Sequence, residues 1–201
     1  PRTIEYCMQQ EHPFWLSAMK MMTGWALTQK GQVTEGLKMV REGFALYERL
    51  GTNLISPVFC ALLADCCSTA GDPIEAASWA ARGRDMVERN NERLSLPVVL
   101  MTDGQLMQRA GGAEAANAES CYREALECAR GQGATLREIQ AAALLAQTLL
   151  GQGLMPEAVV VLARFAFEEQ SLHRIQISII PRNRSSRRVV EKLGLRNEGV
   201  A

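Results

Sequence analysis

The stretch TGWALTQKGQVTEGL (residues 23–37) decides the fold of this chain. In it a small residue, Gly24, is followed seven positions later by Gly31, and an acidic-small pair, Glu35-Gly36, opens the next segment. The same spacing of a small residue and a glycine recurs at Ala64 and Gly71, Gly104 and Gly111, and Ala146 and Gly153. The four glycines are 40, 40 and 42 residues apart. A fixed period of this size is typical of one supersecondary unit that is repeated and stacked on itself.

Each repeated unit is predicted to be two helices joined at its glycine. Before the glycine, apolar residues recur at steps of three and four, as with Phe59, Leu62 and Leu63. The glycine ends this helix because it adopts a left-handed conformation at low cost. The acid after it suits the positive end of the next helix dipole. The predicted helices are 13–30 and 33–50, 55–70 and 73–90, 95–110 and 114–131, and 135–150 and 156–169.

Small residues inside the second helices, such as Gly36 and Gly43, are expected where consecutive helices cross closely. This arrangement resembles the tetratricopeptide repeat. Residues 3 to about 150 are similar to the tetratricopeptide tail of large bacterial regulators that carry a cyclase and an ATPase domain upstream. The residues that carry the resemblance are 23–27, 35–37, 61–65 and 122–126. It implies an all-α fold, a tetratricopeptide-like α-solenoid of about four helix pairs over residues 1–169. A chain that opens at Pro1 is expected to be a fragment or chimera of a larger regulator.

The composition excludes several classes of function. No G-x-x-x-x-G-K-[ST] stretch is present, so this chain is not itself the ATPase. No run of 18 apolar residues exists, which argues against a membrane span. The six cysteines form no C-x-x-C pair and only two histidines accompany them, so we expect no metal site. Core packing is the first interpretation of the cysteines, redox sensing by Cys66-Cys67 is the alternative, and a reducing cytoplasmic location is expected.

In tetratricopeptide stacks the first helix of each unit lines a groove, and the resemblance therefore implies a partner-binding surface on these helices. The candidate residues are Met21, Trp25, Asp65, Met101, Gln105, Gln108 and Gln147. The set is nearly uncharged, which favours a protein or peptide partner with an apolar or amphipathic segment. The first hypothesis is therefore a non-catalytic protein–protein interaction module without a cofactor. The alternative is that some of these residues pack against flanking domains.

The sequence changes character after residue 169. Ile175, Ile177 and Ile179 alternate with polar residues, which predicts a strand. Residues 185–193 are predicted to form a short helix that stops at Gly194. We therefore expect a short α/β tail. No aromatic residue lies among the arginines of this tail, which favours a solvated face over a nucleic-acid site; these are Arg182, Arg184, Arg187 and Arg188.

The tail resembles a second family. The segment GQGLMPEAV (residues 151–159), with 165–169, 172–175 and 191–199, is similar to GNAT acetyltransferases, nearest to the ribosomal-protein N-terminal acetyltransferases. In that family the loop and the helix start hold the pyrophosphate of acetyl-CoA. The resemblance implies four cofactor-binding residues, Gly151, Gly153, Asn183 and Ser186. It also makes Ser186 the candidate proton donor, and no other catalytic residue is assigned.

This second resemblance covers residues 151–201 only, without the first half of the family's fold. The sequence thus predicts two overlapping domains, helical repeats at 1–169 and a partial acetyltransferase segment at 151–201. One or two strands alone are marginal in water, so we expect an inactive remnant rather than an enzyme. The alternative function is a GNAT-family N-acetyltransferase remnant that binds acetyl-CoA. For the loop at Gly151 and Gly153 a structural turn is the first interpretation and a coenzyme site the alternative, and His173 is expected to be a strand-edge residue rather than a base.

Overall fold

The computed structural model describes residues 4–5, 12–169, 173–175 and 184–195. Within these ranges no residue lies in a strand, and the all-α class is confirmed there. The helices are α1 Pro13–Gln29, α2 Val33–Arg49, α3 Ser56–Thr69, α4 Pro73–Asn90, α5 Leu96–Ala110, α6 Gly112–Ala115, α7 Ala118–Gly131, α8 Thr135–Gly151, α9 Met155–Arg164 and α10 Arg184–Lys192. A 3₁₀ turn, Arg93–Ser95, precedes α5, and a π-helical turn, Phe165–Glu169, follows α9.

The predicted helix limits are confirmed to within one residue, with two exceptions. The last repeat helix, predicted to run to residue 169, is α-helical only to Arg164 and continues as the π-helical turn. The second helix of the third pair, predicted from residue 114, begins at Ala118 and is preceded by the short helix α6. The predicted strand lies mostly outside the described residues, since Ile177 and Ile179 are not among them. The predicted tail helix is confirmed as α10, and Gly194 follows it with a φ of 67°.

The turn glycines end their helices as predicted. Gly31 and Gly71 both have a φ of 83°, and Gly153 has a φ of 80°. After Gly31, the N–H of Gln32 donates to the carbonyl of Leu27 at 3.0 Å, and the N–H of Gly31 donates to that of Thr28 at 3.0 Å. This pair of bonds is a Schellman motif, which satisfies carbonyls that the helix end leaves without partners.

The chain forms two compact units, residues 1–118 and 119–201. The predicted boundaries at 1–169 and 151–201 stay predictions. In unit 1, α1 packs on α2 and α3 on α4, while α3 also contacts the preceding pair and α5 contacts α3 and α4. Short turns make each pair antiparallel.

The core of unit 1 is built from large side chains of α1 to α4. Met21, Val40 and Leu63 are fully buried. Tyr47 and Phe59 meet edge to face with ring centroids 4.7 Å apart, and Phe44 and Trp79 do the same at 4.9 Å. Burial of each such side chain stabilises the fold by about 1.5–3 kcal/mol. These contacts hold successive helix pairs together.

Glycines allow α1 and α2 to approach unusually closely. A Cβ added to Gly24 would lie 2.6 Å from the carbonyl oxygen of Gly36, and one added to Gly43 would lie 2.9 Å from the carbonyl oxygen of Ser17. Real Cβ atoms essentially never show contacts under 3.0 Å. The expectation that small residues mark close helix crossings is therefore confirmed for this pair.

In unit 2, α9 packs against α8 and α10 contacts α9. Arg130 of α7 donates to the buried carboxylate of Glu138 on α8 at 2.6 Å, which ties these two helices. Among the described helices, none combines the length and the apolar character needed to cross a membrane.

Candidate functional site

The loop between α8 and α9 is the expected pyrophosphate-binding site, and its N–H groups are already engaged. Those of Gln152, Gly153 and Leu154 donate to the carbonyls of residues 148, 150 and 149, at 3.1, 3.0 and 2.8 Å. The last two bonds form the Schellman motif that caps α8. The structural-turn interpretation of this loop therefore matches its geometry.

The start of α9 adds little to an anion site. Pro156 has no N–H, and Glu157 places a negative charge in the first turn. A diphosphate at a helix start is held by free N–H groups and by the positive helix dipole. In the described arrangement Gly151 and Gly153 therefore do not fit the pyrophosphate of acetyl-CoA, because the neighbouring donors are committed to the cap.

A cleft of about 510 Å³ lies beside this loop within unit 2. Its apolar lining comes from α7, α8, α9 and the residue that follows α10, and consists of Leu126, Leu145, Leu149, Pro156, Val160, Val161 and Leu193. Arginines from α7 and α9 also line it. Arg123 is paired with Glu119 and Arg130 with Glu138, whereas Arg164 forms no ion pair with any described residue. Glu127 and Glu157 line the cleft as well, so its charges are mixed and its apolar lining is what can accept an elongated ligand.

The remaining residues expected from the acetyltransferase resemblance are only partly described. Ser186 lies half-buried in α10, the helix that contacts α9. Asn183 lies outside the described residues, and His173 is exposed in a short segment without helix or strand. The role of Ser186 as a proton donor stays a prediction.

Several contacts in unit 1 meet at Asp65, one of the residues expected to line a partner-binding groove. The indole Nε1 of Trp25 donates to Asp65 Oδ2 at 2.6 Å. Gln29 donates to the same oxygen at 2.9 Å, and Arg109 approaches Asp65 Oδ1 at 2.8 Å. These contacts join α1, α3 and α5, the first helices of three successive pairs. Trp25 stays 37% exposed while its orientation is fixed by Asp65.

Arg109 is a neighbour of the expected groove residue Asp65 that the sequence reasoning missed. The expected groove contained no Lys or Arg, yet this guanidinium neutralises Asp65. Arg109 lies four residues after Gln105, on the same helix face, so helical spacing applied one turn further would have found it.

Two of the expected groove anchors are core residues instead. Met21 is fully buried and Met101 is 6% exposed, so neither side chain is accessible, and their assignment as anchors is corrected. Gln105 is half-buried and Gln108 is exposed, both on α5. Gln147 is exposed on α8 in unit 2.

The described cysteines are free thiols. Burial raises the pKa of Cys60 and of Cys66 to about 11 and that of Cys67 to about 12. A thiolate is the reactive form, so the geometry disfavours redox sensing by the Cys66-Cys67 pair. Among the residues that the structure describes, no group of three or more His, Cys, Asp and Glu side chains could hold a metal ion.

Comparison with known families gives the class of protein to which the second half of the chain is similar. Residues 101–196 match the family model described as the acetyltransferase (GNAT) domain. The match begins 50 residues before the predicted segment, and the described residues within it lie in helices and the turns between them, apart from 173–175, which lie in neither helix nor strand.

A particular relative supports the same class. The chain is 49% identical over 51 residues to the probable N-acetyltransferase YjcK of Bacillus subtilis (strain 168). These residues are 25% of this chain and 28% of that protein, so the chain spans little more than a quarter of its length. The resemblance to GNAT acetyltransferases is thus confirmed, while the resemblance to tetratricopeptide repeats stays a prediction.

Proposed function

We propose that this chain functions in N-acetyl transfer and that acetyl-CoA is the ligand of its second unit. The observation that carries the proposal is the GNAT family match at residues 101–196, which includes the loop after α8. The 49% identity to a probable N-acetyltransferase supports it. These findings favour acetyl-CoA over the cofactor-free interaction module that the sequence placed first.

The geometry of the loop predicts that acetyl-CoA binds weakly. Three N–H groups, those of residues 152–154, must leave their carbonyl partners before they can face a diphosphate. Each such bond is worth about 0.5–1.5 kcal/mol, so freeing all three costs about 1.5–4.5 kcal/mol. That cost weakens binding by about 10- to 2,000-fold relative to a preformed loop.

Calorimetric titration of the 201-residue chain with acetyl-CoA tests this proposal. We expect saturable binding that is abolished by Gly153→Val. Gly133→Val is the matched control, because Gly133 also caps its helix in a Schellman motif, with a φ of 64°, outside the loop. A Cβ at either glycine meets no atom within 4 Å, so both variants carry the same kind of backbone strain. No saturation at millimolar acetyl-CoA, or equal loss in both variants, would contradict the proposal.

We propose a second function for unit 1, the binding of a protein or peptide through a tetratricopeptide-like groove. The supporting observation is the Trp25, Asp65 and Arg109 cluster, which presents a half-exposed indole in a fixed orientation. Rigid aromatic anchors of this kind carry much of the energy of protein interfaces. The partner class is an apolar or amphipathic segment, and the free buried thiols suit a reducing cytoplasmic location.

Fluorescence polarisation with a panel of labelled amphipathic helical peptides tests the groove. For any peptide that binds, Trp25→Ala should weaken binding by about 2 kcal/mol, or roughly 30-fold. Leu94→Ala is the control, because Leu94 is 70% exposed in the turn before α5. Peptide binding that depends steeply on salt and is unaffected by Trp25→Ala would contradict the proposal that the peptide binds in the groove.

A further inference from the structure

The cleft of unit 2 holds charges that no described residue neutralises. Its charged lining residues are Arg123, Glu127, Arg130, Glu157 and Arg164. The two arginines on α7 are each paired with a glutamate, at 2.7 and 2.6 Å. The remaining two glutamates and one arginine form no ion pair with any described residue, and their charges sum to −1. A ligand that neutralises this cleft therefore carries a positive group.

The wall that α9 contributes to this cleft has opposite charges at its two ends. Glu157 and Arg164 are both exposed and both line the cleft. They are seven residues apart, which is two turns and about 10 Å along one helix face. Side chains on a helix pair at a spacing of three or four residues, so these two charges do not neutralise each other. Val160 and Val161 lie between them, and the wall therefore presents a carboxylate, an apolar centre and a guanidinium in a line.

The apolar part of the cleft is shallow. Leu145 and Leu149 of α8 line it and are each 1% exposed, so a ligand lies over these two side chains and does not insert between them. Val160 is 38% exposed and is therefore the main apolar contact that α9 offers. The volume of about 510 Å³ is within the range of small-molecule sites. This shape favours an extended ligand with apolar side chains over a bulky ring system.

We propose that this cleft binds a short apolar peptide with free ends, about three residues long. The ammonium of the peptide pairs with Glu157, its carboxylate with Arg164, and its side chains contact Val160. An extended chain spans about 3.3–3.6 Å per residue, so three residues match the distance of about 10 Å along the helix between the two charges. A guanidinium holds a carboxylate by two parallel hydrogen bonds. Glu127, the third unpaired charge, lies on α7 and disfavours acidic side chains in the peptide.

The proposed peptide site is separate from the acetyl-CoA site. It uses side chains of α9 and none of the N–H groups of residues 152–154, which stay committed to the cap of α8. Peptide binding therefore needs no acetyl-CoA, and the two proposals can fail independently of each other.

Calorimetric titration of the 201-residue chain with the tripeptide Leu-Ala-Leu, without acetyl-CoA, tests the site. We expect saturable binding with a Kd below about 1 mM. Acetylation of the peptide's amino end removes its ammonium, and amidation of its carboxyl end removes its carboxylate. Each change should weaken binding by about tenfold or more, because each removes a charge-assisted hydrogen bond. No saturation at about ten times the expected Kd, or equal binding of all three peptides, would overturn the proposal.

Two variants assign the ends of the peptide. Glu157→Gln should weaken binding of the free peptide by about tenfold and leave that of the acetylated peptide unchanged. Arg164→Gln should do the same for the free and the amidated peptide. Glu124→Gln and Arg188→Gln are the matched controls, because these residues are exposed on α7 and α10 and do not line the cleft. Both controls should bind like the wild type, and an equal loss in controls and cleft variants would overturn the assignment of the site.

Discussion

Replacement of Gly24 by alanine tests the close approach of α1 and α2. The new Cβ would lie 2.6 Å from the carbonyl oxygen of Gly36, 2.7 Å from Val40 Cγ2 and 2.8 Å from the backbone nitrogen of Val40. Two of these three atoms belong to the backbone, so they can retreat only if the whole helix pair separates. We therefore expect Gly24→Ala to lower the free energy of unfolding.

The magnitude follows from two opposing effects. Alanine is favoured over glycine inside a helix by about 1 kcal/mol. Overpacking a filled contact costs about 1–3 kcal/mol, and the upper end applies here because backbone atoms are involved. The net destabilisation is about 2 kcal/mol. With a urea dependence of about 2 kcal/mol per molar, the unfolding midpoint falls by about 1 M.

The control is Gly83→Ala on α4, one period after Gly43. There the nearest atoms to an added Cβ are Cys60 Cβ at 3.3 Å and the carbonyl oxygen of Pro57 at 3.4 Å. The helix-propensity gain should prevail, so this variant should be neutral or up to about 1 kcal/mol more stable. Urea unfolding followed by circular dichroism at 222 nm compares the two. If Gly24→Ala is no less stable than Gly83→Ala, the inferred close contact is wrong.

Three further predictions concern buried groups of unit 1. Tyr47→Phe removes the hydroxyl that bonds to Ser56 Oγ at 2.9 Å, and urea unfolding should show a loss of about 1–3 kcal/mol. Burial raises the pKa of Asp103 above its ordinary 3.8, so the folded state binds this proton more tightly than the unfolded state. The free energy of unfolding should therefore fall as the pH rises above 3.8, and Asp103→Asn should make this dependence on pH less steep. At pH 8 a thiol reagent should modify the three cysteines of raised pKa, Cys60, Cys66 and Cys67, only as fast as the chain unfolds. Modification at the rate of an exposed thiol would contradict their burial.

The helix limits could be predicted because local chemistry determines them. A glycine at each turn and an acid in the following first turn fix where helices end and begin, as at Gly31 and Glu35. The Schellman bonds of Gly153 follow from the same period, so the engagement of its loop was also predictable. The start of α7 at Ala118 was not predictable in this way. Gly111 has a ψ of −166° and ends its helix without a Schellman motif.

Which residues of the predicted groove are exposed was harder to predict, for a physical reason. Apolar residues occur around most of helix α1, because the helix is packed on several sides. The spacing of its apolar residues therefore does not distinguish the core side chains from those of the predicted groove. Met21 and Trp25 are four residues apart, yet one is fully buried and the other is half-exposed. The contact of α10 with α9 was also not predicted, because it joins two helices that lie about 20 residues apart in the sequence and local pattern carries no information on such a contact.

The turns at Gly31, Gly71 and Gly153 are self-contained. Their φ angles agree within 3°, and a side chain at any of them would meet no atom within 4 Å. The hydrogen bonds that close each turn join residues of the turn to the helix just before it. A segment of about six residues therefore contains everything that determines the geometry of the turn. A gene rearrangement that joins two coding segments at such a turn therefore yields a link without strain. Gly153, which lies within the residues 101–196 that match the acetyltransferase model, is a position at which recombination preserves a properly capped helix.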